Sequence, residues 1–226
     1  MAVTKRIVCL ANSRKISGRC VAGREWDGKT AGNWIRPVSS REHEEVSEKE
    51  REYRDGTDPK VLDVIDVPLL RSKVRSFQSE NWLIDDRRYW VKAGQLSWDQ
   101  LTALADAAKG LWVNGYSTKQ GRNDRVPIEV AAKPGDSLRL ILVPALALVT
   151  FAPGQARGIN RRRVQGRFSH EGVEYALRVT DPVIERAYLA KPDGEHRLGE
   201  CYLTISLGEE FEGFCYKLIA AIIPRA

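Results

Sequence analysis

Residues 169–190 read SHEGVEYALRVTDPVIERAYLA, and this stretch decides the fold. It opens on a polar turn, Ser169-His170-Glu171-Gly172, of the composition that joins two antiparallel strands. Residues 175–180 follow as a short strand rich in branched and aromatic side chains. Asp181-Pro182 then marks a helix start, with the carboxylate as N-cap and proline in the first turn, and the helix runs to about Ala190. Working outward, strands are expected at 137–143, 145–151 and 161–168 before the turn. After the helix come strands at 201–207 and 214–223, joined as a hairpin across 208–213.

The order is therefore four strands, one helix, two strands. A small Greek-key barrel of the OB type has this pattern, with a helix plugging one end between its third and fourth strands. The N-terminal half shows a comparable order. Strands are expected at 5–12, 19–26, 33–38 and 61–70, punctuated by Gly18, Gly28 and Gly32. A charged stretch at 39–53, with Ser39 and Glu42 at capping-box spacing, predicts a surface helix. A second helix is expected from Ser97: Ser97 and Gln100 form a capping box, and Trp98, Leu101, Leu104, Ala105, Ala108 and Trp112 recur at helical spacing before Gly110 and Gly115 end it. The polar, Gly/Pro-marked chain over 114–134 places a domain boundary near Pro134. The expectation is a mainly β protein with a few helices, built as two OB-like small Greek-key barrels packed together, one over 1–133 and one over 134–226.

The chain has 226 residues, 42% apolar and 29% charged, which is ordinary for a folded soluble domain and long enough for two small barrels. No apolar run approaches the roughly 20 residues of a membrane helix, and the N-terminus lacks the pattern of a secretory signal; no membrane association and a cytoplasmic location are expected. Cys9, Cys20, Cys201 and Cys215 sit among apolar residues with no Cys-x-x-Cys pair, so buried free thiols are expected and no metal or cofactor. The net charge of +6 favours a polyanionic partner.

That charge is concentrated. Residues 157–168 (RGINRRRVQGRF) hold five arginines and no acid, whereas the rest of the chain from Pro134 on has seven Lys/Arg against eleven Asp/Glu. On a strand, Arg161, Arg163, Gln165 and Arg167 share one face, and Arg162, Val164 and Phe168 share the other. A guanidinium is a flat fork of donors that matches phosphate oxygens and stacks on bases, so the stripe points to nucleic acid. The candidate contact residues are Arg14, Lys15 and Arg19 at the first turn; Trp34 and Arg36; Lys119, Arg122 and Arg125 in the central loop; and Arg157, Arg161, Arg162, Arg163, Arg167 and Phe168. Trp34 and Phe168 are the aromatic faces on which bases would stack. A solvated, ion-paired strand is the competing explanation of the stripe.

KRIVCLANSRKISGRCVAG near the N-terminus, NWIRPVSSREHEEV, the central NGYSTKQGRNDRV, RRRVQGRF and the closing GECYLTISLGEEFEGFCYKLIAAII together resemble the prokaryotic dual OB-containing domain family over nearly the whole chain. The resemblance implies two OB-like barrels and nucleic-acid binding in bacterial conflict or defence settings. It implies no reaction and no catalytic residues.

Catalysis has no motif to rest on. His43, His170 and His196 lie far apart in charged or turn-like segments, and no P-loop, His-Glu-x-x-His or dinucleotide fingerprint is present. Asp85-Asp86 and the pair Asp63 and Asp66 are the carboxylates with which a magnesium site would have to be built, and alternating acids on strands are commonplace. Three functions remain: a non-catalytic module binding nucleic acid, single-stranded DNA or RNA first; a sensor of a nucleotide or modified nucleobase held between the barrels; and an adaptor whose basic face docks an acidic partner protein.

Overall fold

The computed structural model describes residues 2–107, 109–132, 136–154 and 161–225. Two compact units emerge, Met1–Ala105 with Gly135–Ser137, and Asp106–Pro134 with Leu138–Ala226. The chain thus enters the second unit at 105/106, well before the boundary at 133/134 read from composition, because Asp106, Arg122, Asp124 and Arg125–Pro127 are bonded through the backbone to strands of the second unit.

The first unit is a closed barrel. Its strands are β1 (Val3–Lys15), β2 (Gly18–Trp26), β3 (Ala31–Val38), β4 (Asp63–Ser72), β5 (Asn81–Ile84) and β6 (Val91–Gln95). They run β1-β2-β3-β5-β4, and β1 pairs again with β4 to close the ring, leaving β6 outside on β4. β3 and β5 are parallel. β1 serves two neighbours because a register shift between Cys9 and Ala11 bends it. Ile7, Cys9, Val21, Ile35, Ile65, Val67 and Trp90 fill the interior. The helix expected at 39–53 shrinks to one turn, α1 (Glu48–Arg51), whose capping box uses Ser47 and Glu50 in place of Ser39 and Glu42.

The expected helix at Ser97 is also short, two turns of 3-10 type over Trp98–Ala103. The capping contact is present, with the Ser97 N–H donating to Gln100 Oε1 at 2.9 Å. This short helix and its C-cap already bury Leu101 and Leu104 completely. Asp106 then captures Leu140 through N–H to carbonyl (2.9 Å) and through Oδ2 accepting the Leu140 N–H (2.7 Å), which draws the chain away before the helix can extend further.

In the second unit β7 (Arg125–Pro127) and the short α2 (Ile128–Ala131) precede β8 (Leu138–Val143), β9 (Leu146–Phe151), β10 (Arg163–His170), β11 (Val173–Val179), α3 (Pro182–Leu189), β12 (Gly194–Leu198), β13 (Cys201–Phe211) and β14 (Phe214–Pro224). The order is β12-β9-β10-β11-β14-β13-β8, with β7 on β14. Only Pro144 and Ala145 separate β8 from β9. Treated as one strand broken at a proline, they meet β13 at one end and β10 at the other, and β11 is parallel to β14. The first unit has the same strand order and the same parallel pair, so the chain carries two OB-like barrels. Asp181 caps α3 as the sequence predicts, accepting from the N–H groups of Val183 (3.0 Å) and Ile184 (3.2 Å), and a third bond from Ile222 N–H (3.2 Å) ties the cap to β14. Cys9, Cys201 and Cys215 are buried free thiols and Cys20 is half-buried. No helix among the described residues is long and apolar enough to cross a membrane.

Candidate nucleic-acid interface

The period-2 alternation of β10 sorts its side chains. Val164 and Phe168 enter the core of the second barrel, and Arg163, Gln165 and Arg167 take the outer face. Across the antiparallel ladders Arg163 stands opposite Phe151 of β9, Gln165 opposite Arg178 of β11, and Arg167 opposite Ala176. Gln165 is pinned from both sides: its Oε1 accepts from Arg167 Nε (3.1 Å) and its Nε2 donates to Gln120 O (2.6 Å). The outer face is therefore a fixed array of guanidinium groups spaced by an immobilised amide.

Two segments wall this face and leave a groove of about 470 Å³ lined by Arg163, Gln165, Arg178, Phe151, Tyr216 and Leu218, among others. One wall is residues 118–124, held by its own bonds. Asp124 Oδ1 accepts from Thr118 N–H (2.7 Å) and Oδ2 from Thr118 Oγ1 (2.6 Å), and the Gly121 N–H donates to Thr118 Oγ1 (2.9 Å). A side chain at Gly121 would overlap the Asp124 carboxylate. The Arg122 backbone adds a bridge to Ala176 through 3.2 and 3.0 Å bonds. The opposite wall is the end of the β13–β14 hairpin, where Phe211 is 61% exposed and lies 6.4 Å from the Tyr216 ring. Glu209 is the acid in this wall. The Asp124 carboxylate is buried and its oxygens are turned to Thr118, so the groove sets two guanidiniums beside an apolar floor with aromatic rings at its margins. Such a surface holds a flat ring and an adjoining anion.

Beneath this sheet lies Lys217 of β14, almost completely buried. Its neighbours in the strand alternation are Cys215 and Ile219, both in the interior. Its ammonium donates to Val113 O (2.8 Å) and Asn114 Oδ1 (3.1 Å) and sits 5.2 Å from the Tyr175 ring centre. Burial pulls its pKa down to about 7, only partly opposed by the Asp124 charge. Lys217 thus anchors the segment after the 3-10 helix from inside the barrel.

Four of the expected contact residues are elsewhere. Phe168 is buried and stacks on Tyr175, its cross-strand partner, at 5.3 Å and 20°. The alternation that sends the arginines out sends Phe168 in. Trp34 is buried in the first barrel, with Arg24 over its ring at 6.0 Å. Arg36 is 4% exposed, paired with Glu80 at 3.0 Å and donating to Ser137 Oγ at 2.7 Å. Arg162 donates from Nε to Asp193 Oδ1 (2.7 Å), from Nη1 to Leu189 O (2.6 Å) and from Nη2 to Lys191 O (2.6 Å), closing off the C-terminal end of α3. These four hold the fold together.

The remaining candidates divide by unit. Arg161 and Arg167 are exposed at and just before β10, and Lys119 and Arg122 are exposed on the loop wall. Arg125 of β7 is half-buried over the Phe214 ring at 4.1 Å. Arg14, Lys15 and Arg19 belong to the β1–β2 hairpin of the first barrel. Arg157 lies outside the described residues. Arg178, Phe151, Tyr216 and Phe211 were missed by the sequence reading. Period-2 alternation would have found Arg178 and Tyr216, since each is a polar or aromatic residue out of phase with its buried strand neighbours.

Two barrels of OB order, each plugged or flanked by a short helix, define the class. The chain matches the family described as Dual OB-containing domain over residues 5–222, nearly its full length, and it belongs to that family. No curated protein and no solved structure matches it.

Proposed function

We propose that this protein is a non-catalytic module that binds single-stranded nucleic acid on the outer face of β9, β10, β11 and β14 of its second barrel. The observation that carries the reading is the joint placement of Arg163 and Arg178 with Phe151 and Tyr216 around one groove, flanked by exposed Arg161 and Arg167. OB barrels bind oligonucleotides on the face of their second and third strands and on the loops at its ends, and here those strands are β10 and β11. Cationic grooves with stacking platforms hold single strands at about 1–3 kcal/mol per stacked base. Family membership supports a nucleic-acid-binding fold. Fluorescence anisotropy with single- and double-stranded DNA and RNA at two salt concentrations tests the proposal. Preference for single strands, with affinity falling steeply as salt rises, is the expected result; equal binding of duplex, or none of either, would refute it.

One observation favours a second reading, a nucleotide sensor. The groove volume of about 470 Å³ falls within the range of small-ligand pockets. A thermal shift with a mononucleotide and none with oligonucleotides would select it.

A further inference from the structure

The three two-residue hairpins among the described residues differ in what they present. The β10–β11 turn closes at His170 and Val173 around Glu171-Gly172, and the β13–β14 turn at Phe211 and Phe214 around Glu212-Gly213. Both have positive φ at each turn residue, 49° and 74° in one, 53° and 79° in the other, and both use the polar-glycine pair that such turns favour. The β1–β2 turn closes at Lys15 and Gly18 around Ile16-Ser17, and places an isoleucine at φ 46°. Among the described residues Ile16 is the one β-branched side chain with positive φ. A branched Cβ is poorly tolerated there, and strain of this kind costs on the order of 1–3 kcal/mol.

The side chain gains little burial in return. The Ile16 side chain is 65% exposed. The stem below it is anchored: Ser17 Oγ donates to Glu45 Oε1 (3.1 Å), Arg19 exchanges two 2.9 Å backbone bonds with Val46, and a Cβ at Gly18 would collide with Glu45 and Val46. Arg14 and Arg19 are register partners just under the tip, and Lys15 precedes it. Glu45, which accepts from Ser17, is buried. A rigid hairpin therefore holds up an apolar side chain in a conformation suited to glycine, among three cations. Apolar wedges flanked by Arg and Lys insert between bases and unstack them, while the cations meet the adjoining phosphates.

We infer that Ile16 is a wedge that inserts between neighbouring bases of a nucleic-acid strand, with Arg14, Lys15 and Arg19 on the flanking phosphates. The inference rests on the chain being a nucleic-acid binder and adds a contact on the first barrel.

The test uses the full chain and a single-stranded oligonucleotide carrying one 2-aminopurine, whose fluorescence rises when it is unstacked. Wild type should raise that fluorescence on binding. Ile16→Gly should keep or raise the Tm, because glycine suits the turn, yet lose about tenfold in affinity and the fluorescence rise. Ile16→Leu, which keeps an apolar tip, should retain both. Unchanged affinity in Ile16→Gly, or binding by wild type with no fluorescence rise, overturns the wedge and leaves the second-barrel groove standing. No binding of the oligonucleotide by wild type overturns both.

Discussion

Arg163 of β10 and Phe151 of β9 are directly opposed in the antiparallel ladder, and both line the groove of the second barrel. A cation and an apolar ring are thereby fixed side by side by backbone register. Phe168, five residues further along β10, is on the other side of the sheet. The two kinds of aromatic must then respond differently to truncation. Tyr216→Ala should leave the Tm close to wild type and weaken oligonucleotide binding by about 1–3 kcal/mol. Phe168→Ala should cost about 3–5 kcal/mol of stability through the cavity it leaves. Thermal melts and anisotropy on both variants check the contrast.

Lys217 predicts a pH dependence of stability. Its folded pKa of about 7 lies below the ordinary 10.5, so between these values the unfolded chain holds a proton that the barrel does not. Stability of the second barrel therefore rises with pH above about 7, by at most about 1.4 kcal/mol per unit. Above about 9 the buried thiols of Cys201 and Cys215, pushed up to about 12 and about 11, act in the opposite direction, because only the unfolded thiols ionise. Denaturant melts between pH 6.5 and 9 should show the rise in wild type and its absence in Lys217→Met.

Arg162 should behave as a structural residue although it lies within the arginine run. Its three bonds hold Asp193 and the carbonyls of Leu189 and Lys191. Arg162→Ala is expected to destabilise the protein by about 1–2 kcal/mol and to leave oligonucleotide affinity within twofold. Chemical denaturation beside a binding titration separates the two effects.

Gly121→Ala should disorder the loop wall, since the new methyl group displaces the Asp124 carboxylate from Thr118. Weaker binding with a small loss of Tm is expected, read by the same pair of measurements.

Much of this architecture was legible in the sequence, and the exceptions have physical causes. The N-cap at Asp181, the β10–β11 turn and the alternation of Arg163, Gln165 and Arg167 are local signals, and each stands in the structure. β6 was not legible because Val91–Gln95 is almost wholly exposed and lacks an apolar alternation. The unit boundary was displaced because Asp106 and Arg122 are claimed by the second barrel through bonds to Leu140 and Ala176, partners distant in sequence. Arg36 looked like a surface cation because its counter-ion Glu80 is equally remote. Phe168 was read as a stacking face although the strand period sets it on the side opposite Arg163 and Arg167, the face that the core claims. Phe151 and Tyr216, brought to the groove from other strands, supply the rings in its place.

The most direct test is a salt-dependent anisotropy titration of a single-stranded oligonucleotide against wild type and the double variant Arg163→Ala/Arg178→Ala. The account predicts that the variant melts like wild type, binds at least tenfold more weakly, and shows a log–log salt slope shallower by about 0.7 for each phosphate contact removed. Equal affinity and an equal slope in the two proteins would contradict it.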